Sequence, residues 1–167
     1  MSMSVENLKE SVFKQKRQSE VEEQQYDKTI RCVLFNLDSE VYGVPVKKVK
    51  EVLRVGSIRE VHGSSFEVLG IINVRGVIVT VVDIRKILNL DCKEIDGYSR
   101  IVIVELDEEH LIGMLVDNVK EVKDIPESRF EALKNPNDIN NRLINGIAHL
   151  HDEVIILLDV DEIFLKS

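Results

Sequence analysis

Four histidines, two cysteines and a few aspartates at the ends of apolar runs are the side chains in this chain best suited to chemistry. Their spacing argues against catalysis. His149 and His151 alternate as they would on a strand, sharing a face, with Asp152 next, but no third ligand completes a metal site. They read as a polar face near a hairpin. His62 and His110 fall in turn-like segments. Cys32 and Cys92 stand alone, without Cys-x-x-Cys spacing, as two reduced thiols would. Asp83 and Asp159 each close an apolar run just before a short helical segment, where capping is their natural role. No glycine-rich phosphate loop or Gly-x-Ser-x-Gly elbow occurs. The chain is expected to be non-enzymatic, with no cofactor and no metal.

A different kind of chemistry, recognition, is suggested by "INVRGVIVTVVDI" at residues 72 to 84. Its β-branched residues read as buried strand, yet Arg75 and Gly76 interrupt it. Two readings stand: a turn with a solvated arginine, or a turn that presents a binding residue.

The elements around this stretch are mostly strands. With 167 residues, 44% hydrophobic, no Trp and few aromatics, the chain must build its core from Val, Ile and Leu. A net charge of −8 disfavours nucleic acid and anionic membrane surfaces as partners. No apolar run approaches the length of a membrane span and no secretory signal is visible, so a soluble, cytoplasmic protein is expected. Residues 1 to 28 are polar, with Val5, Leu8 and Val12 spaced as one weak helical stripe; a short helix and a frayed extension are both open. "IRCVLFNLD" and "VYGVPV" read as a hairpin, with Pro45 marking the second strand as an edge or irregular one. "VKKVKEVLRV", 46 to 55, has helical spacing for about one turn. Residues 84 to 90 read as a short helical turn, 100 to 107 as a strand, and 111 to 125 as a strand with an irregular extension. Residues 126 to 142 read as a long surface loop, followed by a hairpin and a final short helix.

The chain also repeats itself. Residues 33 to 52 lie over 102 to 122 with one extra residue, so that Val46 meets Val116 and Val49 meets Val119. Residues 70 to 88 lie over 146 to 164 without a gap, pairing Gly70 with Gly146 and Asp83 with Asp159. Sheets of four or five short strands expose edges, and closing each into a barrel removes them. The repeat therefore predicts an all-β protein with short helices: two small barrels related by an approximate two-fold, one over roughly 29 to 90 and one over roughly 91 to 167. Each alone is small for a core, so they should pack together along an apolar interface, with the repeated valines near the axis. The second copy puts His151 and Asp152 where the first has Arg75 and Gly76. Such a barrel does not need Arg-Gly to fold, which favours the binding reading.

"FNLDSEVYGVPVKKVKEVL", "GIINVRGVIVTVVDIRKIL", "RIVIVE", "GMLVDNVKEV" and "NGIAHLHDEVIILLDVDEI" together resemble the CheW-like domain family, in the family's order and over residues 30 to 165. The resemblance implies two SH3-like five-stranded β-barrels around a shared hydrophobic core. It also implies a chemotaxis adaptor for signal transduction, joining chemoreceptor cytoplasmic tips to the histidine kinase CheA through the kinase's own CheW-like regulatory domain. On it, Arg75 is the receptor-contacting arginine, framed by Asn73 and Gly76, and Val33, Val46, Val49 and Val119 line a receptor groove between barrels. Glu51, Val52, Leu53 and Ile58 match the surface that meets the kinase domain. A monomer in isolation, recruited to membrane-associated arrays without inserting in the membrane, is the implied state. Val74 stands for the family's usual Leu, Thr80 for a common Pro, and Ser64 and Ser65 for a Pro before Phe66. Two further readings remain: an adaptor of another chemosensory-type pathway, such as twitching motility or development, and a small-ligand or metal-binding barrel using His149 and His151.

Overall fold

Strands that alternate inward side chains on both faces account for the long apolar runs, because each central strand faces a barrel interior on one side and the neighbouring barrel on the other. The structure, a computed structural model, describes residues 28–107, 109–132 and 142–165. The expected N-terminal extension lies outside them apart from Lys28, as does much of the expected loop at 126 to 142.

β1 (Thr29–Leu37) and β2 (Glu40–Pro45) form the first hairpin; β3 (Val49–Arg54), β4 (Val68–Val74) and β5 (Val77–Asp83) follow, then a short helix α1 (Ile84–Ile87). The second copy supplies β6 (Arg100–Asp107), β7 (His110–Val116), β8 (Asn118–Pro126), a two-residue β9 (Phe130–Glu131), β10 (Ile144–Leu150), β11 (Glu153–Leu158) and α2 (Val160–Leu165). The strands make one six-stranded sheet, β8-β1-β2-β11-β10-β9, and one five-stranded sheet, β3-β6-β7-β5-β4. Both sheets draw strands from both copies of the repeat. The sequence division near residues 90 and 91 follows the repeat, whereas the sheets are divided by an exchange of hairpins: β1–β2 of the first copy joins β8 to β11, and β6–β7 of the second joins β3 to β5.

The approximate two-fold is kept in the register. Leu34 pairs with Gly43 as Ile103 pairs with Gly113, and parallel pairing joins β11 to β2 as it joins β5 to β7. Strands β8 and β3 each carry a bulge at the equivalent place, at Val119/Glu121 opposite Leu34/Phe35 and at Val49/Glu51. Cys32, Leu34, Ile125, Ala148, Ile155 and Leu157 fill one barrel, and Val79, Val81, Ile101 and Ile103 the other. Between them lies a larger shared cluster, including Phe35, Leu37, Val102, Val104, Met114, Val116 and Leu158. Fully burying each such side chain is worth about 2 kcal/mol. The expected fold of two barrels around a shared core is the observed one.

Three local expectations are corrected. Residues 46 to 55 are one 3-10 turn, Val46–Lys48, followed by strand β3. The i, i+3 spacing of Val46, Val49 and Val52 spans this turn-to-strand junction instead of a helix. β2 is interior, between β1 and β11; Pro45 is tolerated because the parallel pairing with β11 ends at Gly43. Residues 126 to 131, expected as loop, close β8 and contribute a 3-10 turn and β9.

Candidate functional site

Arg75 and Gly76 are the two residues between β4 and β5, with φ of 50° and 87°. Left-handed values at both positions fit a type I′ hairpin turn, whose twist matches the flanking strands. Asn73 secures it: its Oδ1 accepts a hydrogen bond from the Gly76 N–H at 2.8 Å. Asn or Gly usually takes the first of these positions, and a long side chain there carries a cost of order 1 kcal/mol. His151 has φ 51° at the equivalent place in the other barrel. The backbone demand thus belongs to the fold; the guanidinium does not.

That guanidinium is 75% exposed and reaches Glu51, whose Oε1 accepts from Nη2 at 2.5 Å. Glu51 lies on β3 and Arg75 follows β4, and these are the two edges of the five-stranded sheet. Their ion pair therefore ties the open edges together. In the other barrel the corresponding tie runs from β8 to the start of β11, through Lys120 and Glu153, with Lys123 at 3.9 Å from the same carboxylate. The cation now sits on the edge strand and the anion beside the turn, so the approximate two-fold inverts charge here.

The remaining expected site residues divide by burial. Val33 is only 5% exposed and is placed to pack, not to be presented. Val46, Val49 and Val119 are half-buried, Val49 and Val119 against the shared core. Val52 is 39% exposed, while Leu53 and Ile58 pack against the interior of the five-stranded barrel. The residues expected to meet receptor and those expected to meet kinase are thus not separate patches, since Arg75 bonds Glu51 directly. A groove of about 680 Å³ lies alongside, between the β4–β5 and β6–β7 hairpins and α2. Lys50, Val77, Ile78, Ile112 and Phe164 help line it, and none of the seven expected receptor-contact residues does.

A buried ionic cluster was not foreseen. Arg85, 4% exposed, donates from Nε and Nη2 to the two oxygens of Asp83 at 2.9 Å each, and from Nη1 to Asp117 Oδ1 at 2.8 Å and the Lys93 carbonyl at 2.9 Å. Asp117 Oδ2 accepts the Asp38 N–H at 2.8 Å. Hydrogen bonding to Asp83 raises the guanidinium pKa against the opposing effect of burial. Asp117 sits where the chain crosses from β7 to β8, so the cluster clamps α1 to a crossover between sheets. The only sequence signal was Asp83 and Arg85 two residues apart; Asp117 lies 32 residues further on. The expected caps do form, Asp83 accepting the Arg85 N–H and Asp159 the Glu162 N–H. His151 is in the turn rather than on β10, so it does not share a strand face with His149. Among the described residues no group of three or more metal-ligand side chains converges, and no described helix is long and apolar enough to cross a membrane.

Known proteins match this chain in sequence and in overall fold. Residues 31–167 match the CheW-like domain family. The chain is 31% identical over 141 residues to the chemotaxis protein CheW of Bacillus subtilis, covering 82% of this chain and 88% of that one. It is 32% identical over 136 residues to CheW of Thermotoga maritima, covering 81% and 88%. The crystal structure of the scaffolding protein TtCheW from Thermoanaerobacter tengcongensis superposes with a TM-score of 0.76 at 32% identity, over 82% of this chain and 93% of that one.

Proposed function

The chain belongs to the CheW-like domain family, and from that premise we propose that it couples the cytoplasmic tips of chemoreceptors to the histidine kinase CheA in signalling arrays. The family is one of non-enzymatic chemotaxis adaptors. The observation that carries the finer reading is Arg75: a cation 75% exposed, on a strained turn that the other barrel makes without it. Half-buried Val46, Val49 and Val119 supply apolar surface for the helical hairpin of a receptor tip, in the helix-in-groove mode. Arginine is a frequent hot-spot residue beside such surface. Glu51, Val52, Leu53 and Ile58, on and after β3, are the kinase-facing set, its exposed part being Val52, with the Glu51 side chain half-buried under Arg75. Holding receptor and kinase together raises their effective concentration and passes on the receptor's conformational bias. Such a coupler works in the cytoplasm at membrane-associated arrays.

The test is co-sedimentation of the full chain with receptor signalling-tip fragments and CheA. The reading requires the chain in the pellet with each partner separately and the kinase's pelleting with receptor to depend on the chain. A chain that binds neither would overturn it.

A further inference from the structure

The approximate two-fold that maps Arg85 onto Asp161 also maps the β7–β8 crossover, where Asp117 sits, onto the β2–β3 crossover, the 3-10 turn Val46–Lys48. Arg85 on α1 holds the first crossover through Asp117. At the second, Lys48 Nζ donates to Asp161 Oδ2 on α2 at 2.7 Å. Both short helices are thus ion-paired to a point where the chain changes sheet, with the charges exchanged between the two. The clamps differ in strength. Arg85 and Asp117 are 4% and 3% exposed, whereas Lys48 and Asp161 are 28% and 40% exposed. Asp161 Oδ1 is buried without a hydrogen-bond partner among the described residues, so Lys48 is the contact that steadies this carboxylate. The turn that Lys48 ends begins with Val46 and leads directly into Val49.

We propose that Lys48 and Asp161 are positioning residues for the receptor-facing valines, fixing the Val46–Lys48 turn against α2 so that Val46 and Val49 are presented in register. This rests on the reading above that Val46 and Val49 meet the receptor. The pair is partly exposed, so its contribution is modest and screened by salt, unlike the buried Arg85 cluster, which holds the fold itself.

The experiment measures capture of the full-length chain by receptor signalling-tip fragments, with CheA regulatory-domain binding and melting temperature followed in parallel. Lys48→Glu and Asp161→Lys are each expected to weaken receptor capture about fivefold at low salt, the scale of one partly exposed ion pair, while kinase-domain binding holds. The double variant Lys48→Glu with Asp161→Lys is expected to recover capture to within about twofold, since the pair is remade in reverse. A double variant as weak as either single one overturns positioning, because Lys48 would then touch the receptor itself. Loss of capture only in step with folding and kinase binding, in these variants and in Asp161→Asn, overturns it as a purely structural effect. Val46→Ala and Val49→Ala separate the two levels. If they weaken capture and the charge variants do not, the inference fails and the receptor reading stands; if they too have no effect, the receptor reading has failed.

Discussion

Glu51 and Arg75 are 24 positions apart, on opposite edges of one sheet, and share a hydrogen bond of 2.5 Å. A residue assigned to kinase contact and one assigned to receptor contact are therefore a single electrostatic unit. Substituting either should disturb both partners to some degree. A double-mutant cycle on receptor capture with Arg75→Ala and Glu51→Ala is expected to show coupling of about 0.5–1 kcal/mol, as for an ion pair with an exposed cation. Strict additivity would mean the two residues act independently.

Arg85 neutralises two carboxylates, Asp83 and Asp117, at the shared core. Removing it leaves two buried carboxylates without a counter-charge. Arg85→Met is expected to cost about 3–5 kcal/mol in urea unfolding. Arg75→Ala, at the surface, should cost less than about 1 kcal/mol by the same measurement.

Glycine substitutions should rank by what a methyl group would meet. At Gly70 (φ 150°) it would run into the Arg59 carbonyl, and at Gly113 it would lie 2.8 Å from Ile101 Cγ2. Gly97 has open space. Unfolding midpoints are expected to fall furthest for Gly70→Ala, next for Gly113→Ala by about 1–3 kcal/mol, and hardly at all for Gly97→Ala.

Burial, with a smaller push from the Asp124 carboxylate, raises the Cys32 thiol to about 11. Its folded value thus exceeds the unfolded one, so the neutral thiol stabilises the fold at low pH. That contribution is lost as pH climbs from about 9 towards about 11. Comparing wild type with Cys32→Ala across this range isolates it, because Tyr42, whose phenol burial likewise pushes up, contributes equally to both. At pH near 8, alkylation followed by mass spectrometry is expected to modify exposed Cys92 and spare Cys32 until denaturant is added.

Much of this was legible in the sequence, and the gaps have physical causes. The Arg75 turn, the two capping aspartates and the repeat follow from local residue preferences, which need no knowledge of pairing. The exchange of the β1–β2 and β6–β7 hairpins between barrels was not legible, because the same apolar pattern would serve pairing within a copy or across copies. β3 itself was hidden: Val46, Val49 and Val52 mimic a helical period where a turn hands over to a strand. The Arg85 cluster joins positions far apart in the chain, and Asp117, between Val116 and Asn118, has the sequence surroundings of a solvated turn. Charge inversion between the barrels emerged only once Lys120 met Glu153 and Lys48 met Asp161.

The central claim is coupling, and kinase output tests it most directly. CheA autophosphorylation should be measured with receptor signalling fragments, with and without this chain. The account predicts strong stimulation only when all three are present, and its loss with Arg75→Glu while the variant keeps measurable, if weakened, binding to the CheA regulatory domain. Stimulation that does not require the chain, or that survives undiminished with Arg75→Glu and Val49→Ala together, would contradict it.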